Sequence, residues 1–305
     1  MILIKKRLLI IIFILIGLSV FFYFFTQQPT STTNESDDEV EQQDTPATDE
    51  ETEEEEAEEV TFQENPVREF LSEQVRKAAD FFFPQDLHLV TLGDSLTEGV
   101  GDEMNEGGYV GILESTLDQD DYEIDIHNFG KRGNRSDQLL ARLEEEEIIT
   151  ALEDTDIILI TIGANDIMQV FKENLTNITL EKFNEEQLYY EQRLHAIFTT
   201  LRNINEDAEI YLIGFYNPFE QYFSYIEELD IIVEGWNDIG RQVATQYDDS
   251  EFIPIKDLFE NTSYNLIAEY NFHPNHLGYR LIADRVLQFI MNEGENNGEV
   301  EPTNE

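Results

Sequence analysis

Four short blocks carry residue types that can do chemistry, and they occur in the order serine, glycine loop, asparagine, histidine. The first is Gly93-Asp94-Ser95-Leu96, directly after the apolar run Leu87–Leu92. A glycine after a strand permits a tight turn, and the serine then opens at the carboxyl edge of a sheet, where a nucleophile or an anion-binding hydroxyl belongs. Alone, Gly-Asp-Ser is ordinary turn chemistry. The second block runs from Asn128 to Ser136 and contains Gly130, Lys131, Arg132 and Gly133. Its backbone N–H groups can face a developing oxyanion, and Ser136 or Asp137 can cap the helix that follows. The third is Gly163-Ala164-Asn165-Asp166, in which the Asn amide is a neutral donor suited to an oxyanion hole or to a helix cap. The fourth is Asn271-Phe272-His273-Pro274-Asn275-His276-Leu277-Gly278-Tyr279. A histidine at a loop-to-helix junction can serve as general base and acid, because its pKa lies near neutrality. Of the other histidines, His88 lies in a strand, His127 ends one and His195 sits in a helix, and all three read as structural or exposed. His276 is the one competitor to His273, and it falls at helical phase.

The elements that must position these blocks alternate. Strand-length apolar runs occur at Leu87–Leu92, Ile124–Asn128, Ile157–Ile162, Ile210–Phe215 and Phe252–Ile255. Ile157–Ile162 is nearly all β-branched or Leu, as expected of a strand buried on both faces. Helical periodicity predicts helices over Pro66–Phe82, Tyr109–Leu117, Gln138–Ile149, Glu185–Asn203, Ile226–Tyr247 and His276–Ile290. Strands alternating with helices predict βαβ units and a parallel sheet, whose carboxyl edge is where ligands bind.

Taken together, the four blocks make the stretch from about Leu87 to Ile290 resemble the SGNH hydrolases, the GDSL esterase/lipase superfamily, in its membrane-anchored or secreted bacterial lipase/acylhydrolase form. Gly93-Asp94-Ser95-Leu96 matches the motif that names the family, Gly133 falls at its second-block glycine, and Gly163-Ala164-Asn165-Asp166 and His273-Pro274-Asn275 match its third and last blocks. The resemblance implies a three-layer α/β/α flavodoxin-like domain with a five-stranded parallel sheet. It implies Ser95 as nucleophile, His273 as base, and an oxyanion hole of the Ser95 and Gly133 backbone N–H groups and the Asn165 side chain. It implies no metal and no organic cofactor. The chain departs from the family at one place. The acid that usually precedes the catalytic histidine by three residues is replaced by Tyr270, which leaves three readings: Glu269 orients the imidazole, a carbonyl completes a Ser-His dyad, or the site is impaired.

Composition bounds the rest. The 305 residues carry 66 acids against 18 bases, a net charge of −48, and no cysteine. Disulfides, thiolate metal sites and a cysteine nucleophile are therefore excluded. A nucleic-acid partner is not expected, since phosphates must be met by Lys and Arg. Residues 1–25 hold Lys5, Lys6 and Arg7 and then 18 uncharged residues, Leu8–Phe25, enough to span a bilayer with the basic tip in the cytoplasm. The run ends in bulky aromatics without a small-residue cleavage site, which favours an uncleaved anchor over a signal peptide that would release a secreted protein. Residues 26–64 hold 16 acids and no base, and predict a disordered, extended linker. The predicted organisation is an anchor over 1–25, a linker over 26–64, a hydrolase domain over 65–292 and an acidic tail over 293–305. The expected activity is extracytoplasmic carboxylic ester hydrolysis on a small-molecule, lipid or glycan ester. The rival readings are an O-deacetylase of cell-wall or exopolysaccharide sugars and a catalytically weak envelope binding protein. The aromatic segment Phe215–Tyr225 reads either as an acyl or sugar subsite or as loop packing.

Overall fold

The computed structural model describes residues 86–117, 123–174, 177, 179–218, 227–260, 262–269 and 272–297. All of them lie within one compact unit, Glu73–Glu305. The predicted anchor, the linker, the helix Pro66–Phe82 and Tyr270 lie outside the described residues. Among the described residues no helix is long and apolar enough to cross a membrane.

Five parallel strands form one sheet: β1 (Asp86–Gly93), β2 (Glu123–Gly130), β3 (Ile157–Thr161), β4 (Glu209–Ile213) and β5 (Ser250–Ile253), in the order β2-β1-β3-β4-β5. Leu92 pairs with Phe129 on one side and with Ile160 on the other, which brings the ends of β1, β2 and β3 level. The side-chain period of two divides each central strand between two cores. Val90, Leu92, Ile158 and Ile160 face one apolar cluster, and Leu87, Leu89, Ile157 and Leu159 face the other. The first cluster is closed by α3 (Ser136–Arg142), α4 (Glu146–Glu153), α5 (Ala164–Glu173), α6 (Leu180–Ile204) and α7 (Glu227–Ala244). The second is closed by α2 (Gly108–Leu117), α8 (Lys256–Phe259) and α9 (His276–Asn297). A single helical turn, α1 (Ser95–Glu98), follows β1. The result is the expected three-layer α/β/α domain. In this strand order the chain reverses direction across the sheet between β1 and β3, and the crevice at that switch point is where such folds bind ligands.

Three elements differ from the expectation. The predicted helix over Gln138–Ile149 is two helices, broken at Leu143-Glu144-Glu145. Four consecutive carboxylates, Glu144–Glu147, repel along one helix, and the break puts Glu145 at a helix N-terminus instead. Residues 164–173 form a helix not foreseen from periodicity, because its first turn is polar and its apolar residues Ile167, Val170 and Phe171 are few. The last helix continues to Asn297, into the stretch expected to be tail.

Candidate active site

Ser95 is the first residue of α1 and is 9% exposed. Asp94 precedes it as N-cap, its Oδ1 accepting from Leu96 N at 3.0 Å. Gly93 is required there: a Cβ would lie 2.5 Å from Thr161 O on β3. As the first helical residue, Ser95 leaves its own N–H without an intrahelical acceptor.

The structure brings His273 to this serine: Nε2 lies 2.7 Å from Ser95 Oγ. The backbone around His273 is held from several sides. Its carbonyl accepts from Ala268 N at 2.9 Å, and Pro274 pairs with Ile267 in an antiparallel bridge. Tyr216 OH donates to Phe272 O at 2.7 Å, with its ring stacked on Phe259 at 4.0 Å between centroids. Gly101, at φ +99°, approaches so closely that a Cβ would lie 2.9 Å from His273 Cβ. Burial first, and the Arg132 guanidinium second, push His273 down from 6.5 to about 4. Glu269 is exposed.

The competing histidine has another employment. His276 Nδ1 lies 3.1 Å from Oδ1 of buried Asp102, whose other oxygen accepts from the N–H groups of Glu106 and Gly108 at 3.0 Å each. This pair fastens the Gly99–Gly108 loop to the start of α9. His88 and His127 are exposed on strands and lie near Asp125. His195 bonds Tyr247.

Asn165 reaches the same place from the end of β3. Its Nδ2 donates to Asn134 O at 2.9 Å and to Asp94 Oδ2 at 3.3 Å, which engages both amide hydrogens. Gly133, at φ +78°, is exposed, and nothing lies within 4 Å of where its Cβ would be. Its N–H finds no acceptor among the described residues. These contacts bring Ser95, Asn165 and His273 together at the carboxyl ends of β1 and β3, with Gly133 on the adjoining loop beside Asn134.

Two buried networks escaped the sequence reading. Asp166, 2% exposed, accepts from Ser136 N at 3.0 Å, Ser136 Oγ at 2.6 Å and Arg193 Nη2 at 3.0 Å. Arg193 also donates through Nε to Ser136 Oγ at 2.6 Å and through Nη2 to Glu186 at 2.5 Å. Burial still raises the Asp166 carboxyl, against the opposing pull of Ser136 and Arg193. This network ties the Gly133 loop to the strand end that bears Asn165. The second lies under the nucleophile: Tyr109 OH, Thr97 Oγ1, Thr161 Oγ1 and Asp94 Oδ1 follow one another at 3.0, 2.6 and 3.4 Å. Burial raises Asp94 from 3.8 to about 7. Of the aromatic segment, Phe215 packs on Tyr190 and Tyr216 serves the His273 loop, so its described part is packing. Among the described residues no group of three or more His, Asp or Glu side chains is disposed to hold a metal ion.

A serine and a histidine at the switch point of a flavodoxin-like sheet define a class, the serine carboxylic ester hydrolases of the GDSL type. The chain belongs to the GDSL-like lipase/acylhydrolase family, whose model matches residues 91–281. It is 36% identical to the uncharacterized protein YpmR of Bacillus subtilis over 227 residues, 73% of this chain and 89% of that protein. It is 27% identical to the spore germination lipase LipC of Bacillus licheniformis over 211 residues, 66% of this chain and 94% of that protein. Among solved structures it is similar to the lipase Lip_vut3 from a goat rumen metagenome, with a TM-score of 0.59 and 25% identity, covering 67% of this chain and 97% of that one.

Proposed function

We propose that Ser95 is the nucleophile and His273 the general base of an extracytoplasmic carboxylic ester hydrolase, tethered by Leu8–Phe25 and held off the membrane by residues 26–64, with its catalytic domain over 65–292. The 2.7 Å contact between His273 Nε2 and Ser95 Oγ carries this reading. Ser95 Oγ attacks the ester carbonyl as its proton passes to His273 Nε2. The tetrahedral oxyanion takes hydrogen bonds from the N–H groups of Ser95 and Gly133. Collapse returns the proton from His273 to the leaving alkoxide, and water repeats the sequence on the acyl-enzyme. Asn165 joins the oxyanion hole by exchanging its longer bond, to Asp94 Oδ2, for the oxyanion. A protonated Asp94 releases that hydrogen more readily than a carboxylate does. The relatives named as lipases favour an acyl ester over a purely binding role. The test is hydrolysis of p-nitrophenyl acetate, butyrate and octanoate by the full-length protein beside Ser95→Ala. Turnover that survives in the variant would refute the assignment, and acyl preference separates a deacetylase from a lipase.

A further inference from the structure

The geometry points to an ester substrate that carries an anionic group, a phosphate or a carboxylate, bound by the Lys131–Arg135 loop beside the scissile carbonyl. This inference rests on the proposed role of Ser95. The loop lies across the nucleophile turn: Lys131 N donates to Gly93 O at 3.0 Å, and Arg132 N donates to the Glu98 carboxylate, so residues 131 and 132 span the turn that holds Ser95. Lys131, Arg132 and Gly133 are all exposed, and the space beside Gly133 is open.

The charge here contrasts with the rest of the molecule. The chain has 18 bases among 66 acids, and three of those bases fall in five consecutive residues at this one loop. Several cations elsewhere are held by carboxylates, Arg193 by Asp166 and Glu186, Lys256 by Asp230, Glu234 and Glu260, and Arg285 by Asp257, and within the loop Arg135 is held by Asp137. Lys131 has no carboxylate within ion-pair distance among the described residues. The Arg132 charge reaches the site itself, since it helps to depress His273. Burial biases two of the acids near the nucleophile, Asp94 and Asp166, towards their neutral forms, and a third, Glu98, is turned to the Arg132 backbone N–H. The loop also holds a donor in want of an acceptor, the buried Nδ2 of Asn134. An acceptor-rich anion matches this set, because exposed Lys and Arg recognise phosphate and carboxylate by charge-assisted hydrogen bonds.

The test uses the full-length protein and two matched ester pairs, 1-butanoylglycerol 3-phosphate against 1-butanoylglycerol, and mono-p-nitrophenyl succinate against its methyl ester. The readout is the ratio of kcat/KM, anionic to neutral. At low salt we expect a ratio on the order of tenfold, the scale of one or two partly exposed charge pairs. It should fall towards unity in the double variant Lys131→Gln, Arg132→Gln. The pair with the larger ratio identifies phosphate or carboxylate as the ligand. A wild-type ratio at or below unity in both pairs, or a ratio the double variant leaves intact, overturns the inference. Should the variant fail to fold, the wild-type ratio at high NaCl decides, because screening must collapse it. Calorimetry of Ser95→Ala with the two glycerol esters reads the same preference without turnover. Absent hydrolysis then sinks the catalytic reading alone, and equal binding of the two esters sinks this one.

Discussion

With His273 as the proposed base, this site should work in acid. His273 falls from 6.5 to about 4, through burial first and the Arg132 charge second. That fall corresponds to about 3 kcal/mol against the imidazolium. kcat/KM reports the free enzyme, in which His273 must be neutral to take the Ser95 proton. With a midpoint near 4, about nine-tenths of the neutral-pH value survives at pH 5. With an ordinary histidine at 6.5 only about 4% would survive. The assay is p-nitrophenyl butyrate hydrolysis across the acid range, read where phenol and phenolate absorb equally, with circular dichroism confirming the fold at each pH. Arg132→Gln removes the smaller cause and should move the acid limb upward, yet leave it below that of an ordinary histidine, since burial remains. A wild-type midpoint at or above pH 6 in folded protein would refute the reasoning, because it would mean the imidazole is far better solvated than its surroundings allow.

Further outcomes follow from the same contacts. Arg193→Met strips the cation from a carboxyl that is 2% exposed, and should cost about 3 kcal/mol by urea denaturation. The loss should be larger at pH 8 than at pH 5, where Asp166 can escape by protonation, and Arg193→Lys should recover part of it. Gly101→Ala forces a Cβ to within 2.9 Å of His273 Cβ at a φ of +99°. It should lower kcat more than it raises KM, and an unchanged kcat would show that the loop yields without moving the base. His273 and Asp94 should pull stability in opposite directions over one pH range. The folded pKa of His273 is depressed, so its contribution is lost as pH falls from 6.5 to about 4, whereas that of Asp94 is raised, so its contribution is lost as pH rises from 3.8 to about 7. His273→Asn should therefore gain stability at pH 4.5 relative to pH 7.5, Asp94→Asn should do the reverse, and shifts of the same sign would contradict both assignments. Finally, a chain at −48 repels itself, so its melting temperature should rise with NaCl, and a fall would show that specific ion pairs outweigh the general repulsion.

The sheet was legible because its signals are local. Ile157–Ile162 is apolar on both faces, and each strand of the parallel sheet coincides with a short stretch that holds apolar residues. The proposed site residues Ser95, Gly133, Asn165 and His273 stand out in the sequence because each sits in a short block at a strand end or before the last helix, and the structure brings His273 to Ser95 and Asn165 to Asp94. What the sequence did not disclose are pairings between distant residues. Arg193 lies in the middle of a long helix, and beyond Glu186 on the same helix its partners are 27 and 57 positions away. Asp102 pairs with His276, 174 positions on, a contact that no local motif marks. The split of the Gln138–Ile149 helix was missed because apolar periodicity says nothing of four adjacent carboxylates, whose repulsion is decided by geometry.

The geometry also gives β3 a larger part than its motif suggests. Asn165 bonds the cap of the nucleophile turn through Asp94 and the glycine loop through Asn134 O, and its neighbour Asp166 grips the same loop through Ser136. Two adjacent residues of one strand end thus cross-link the other two strand ends. Because β3 is central and buried on both faces, it is a rigid origin from which to set those distances. The histidine arrives separately, on a connection pinned by Tyr216, Ala268 and Gly101. A backbone so fixed limits how far the His273 ring can swing from Ser95, and it does so with no help from the acid that Tyr270 replaces. Holding the base through its main chain in this way reduces what a third side chain must contribute to orientation. What remains for such a group is the choice of tautomer.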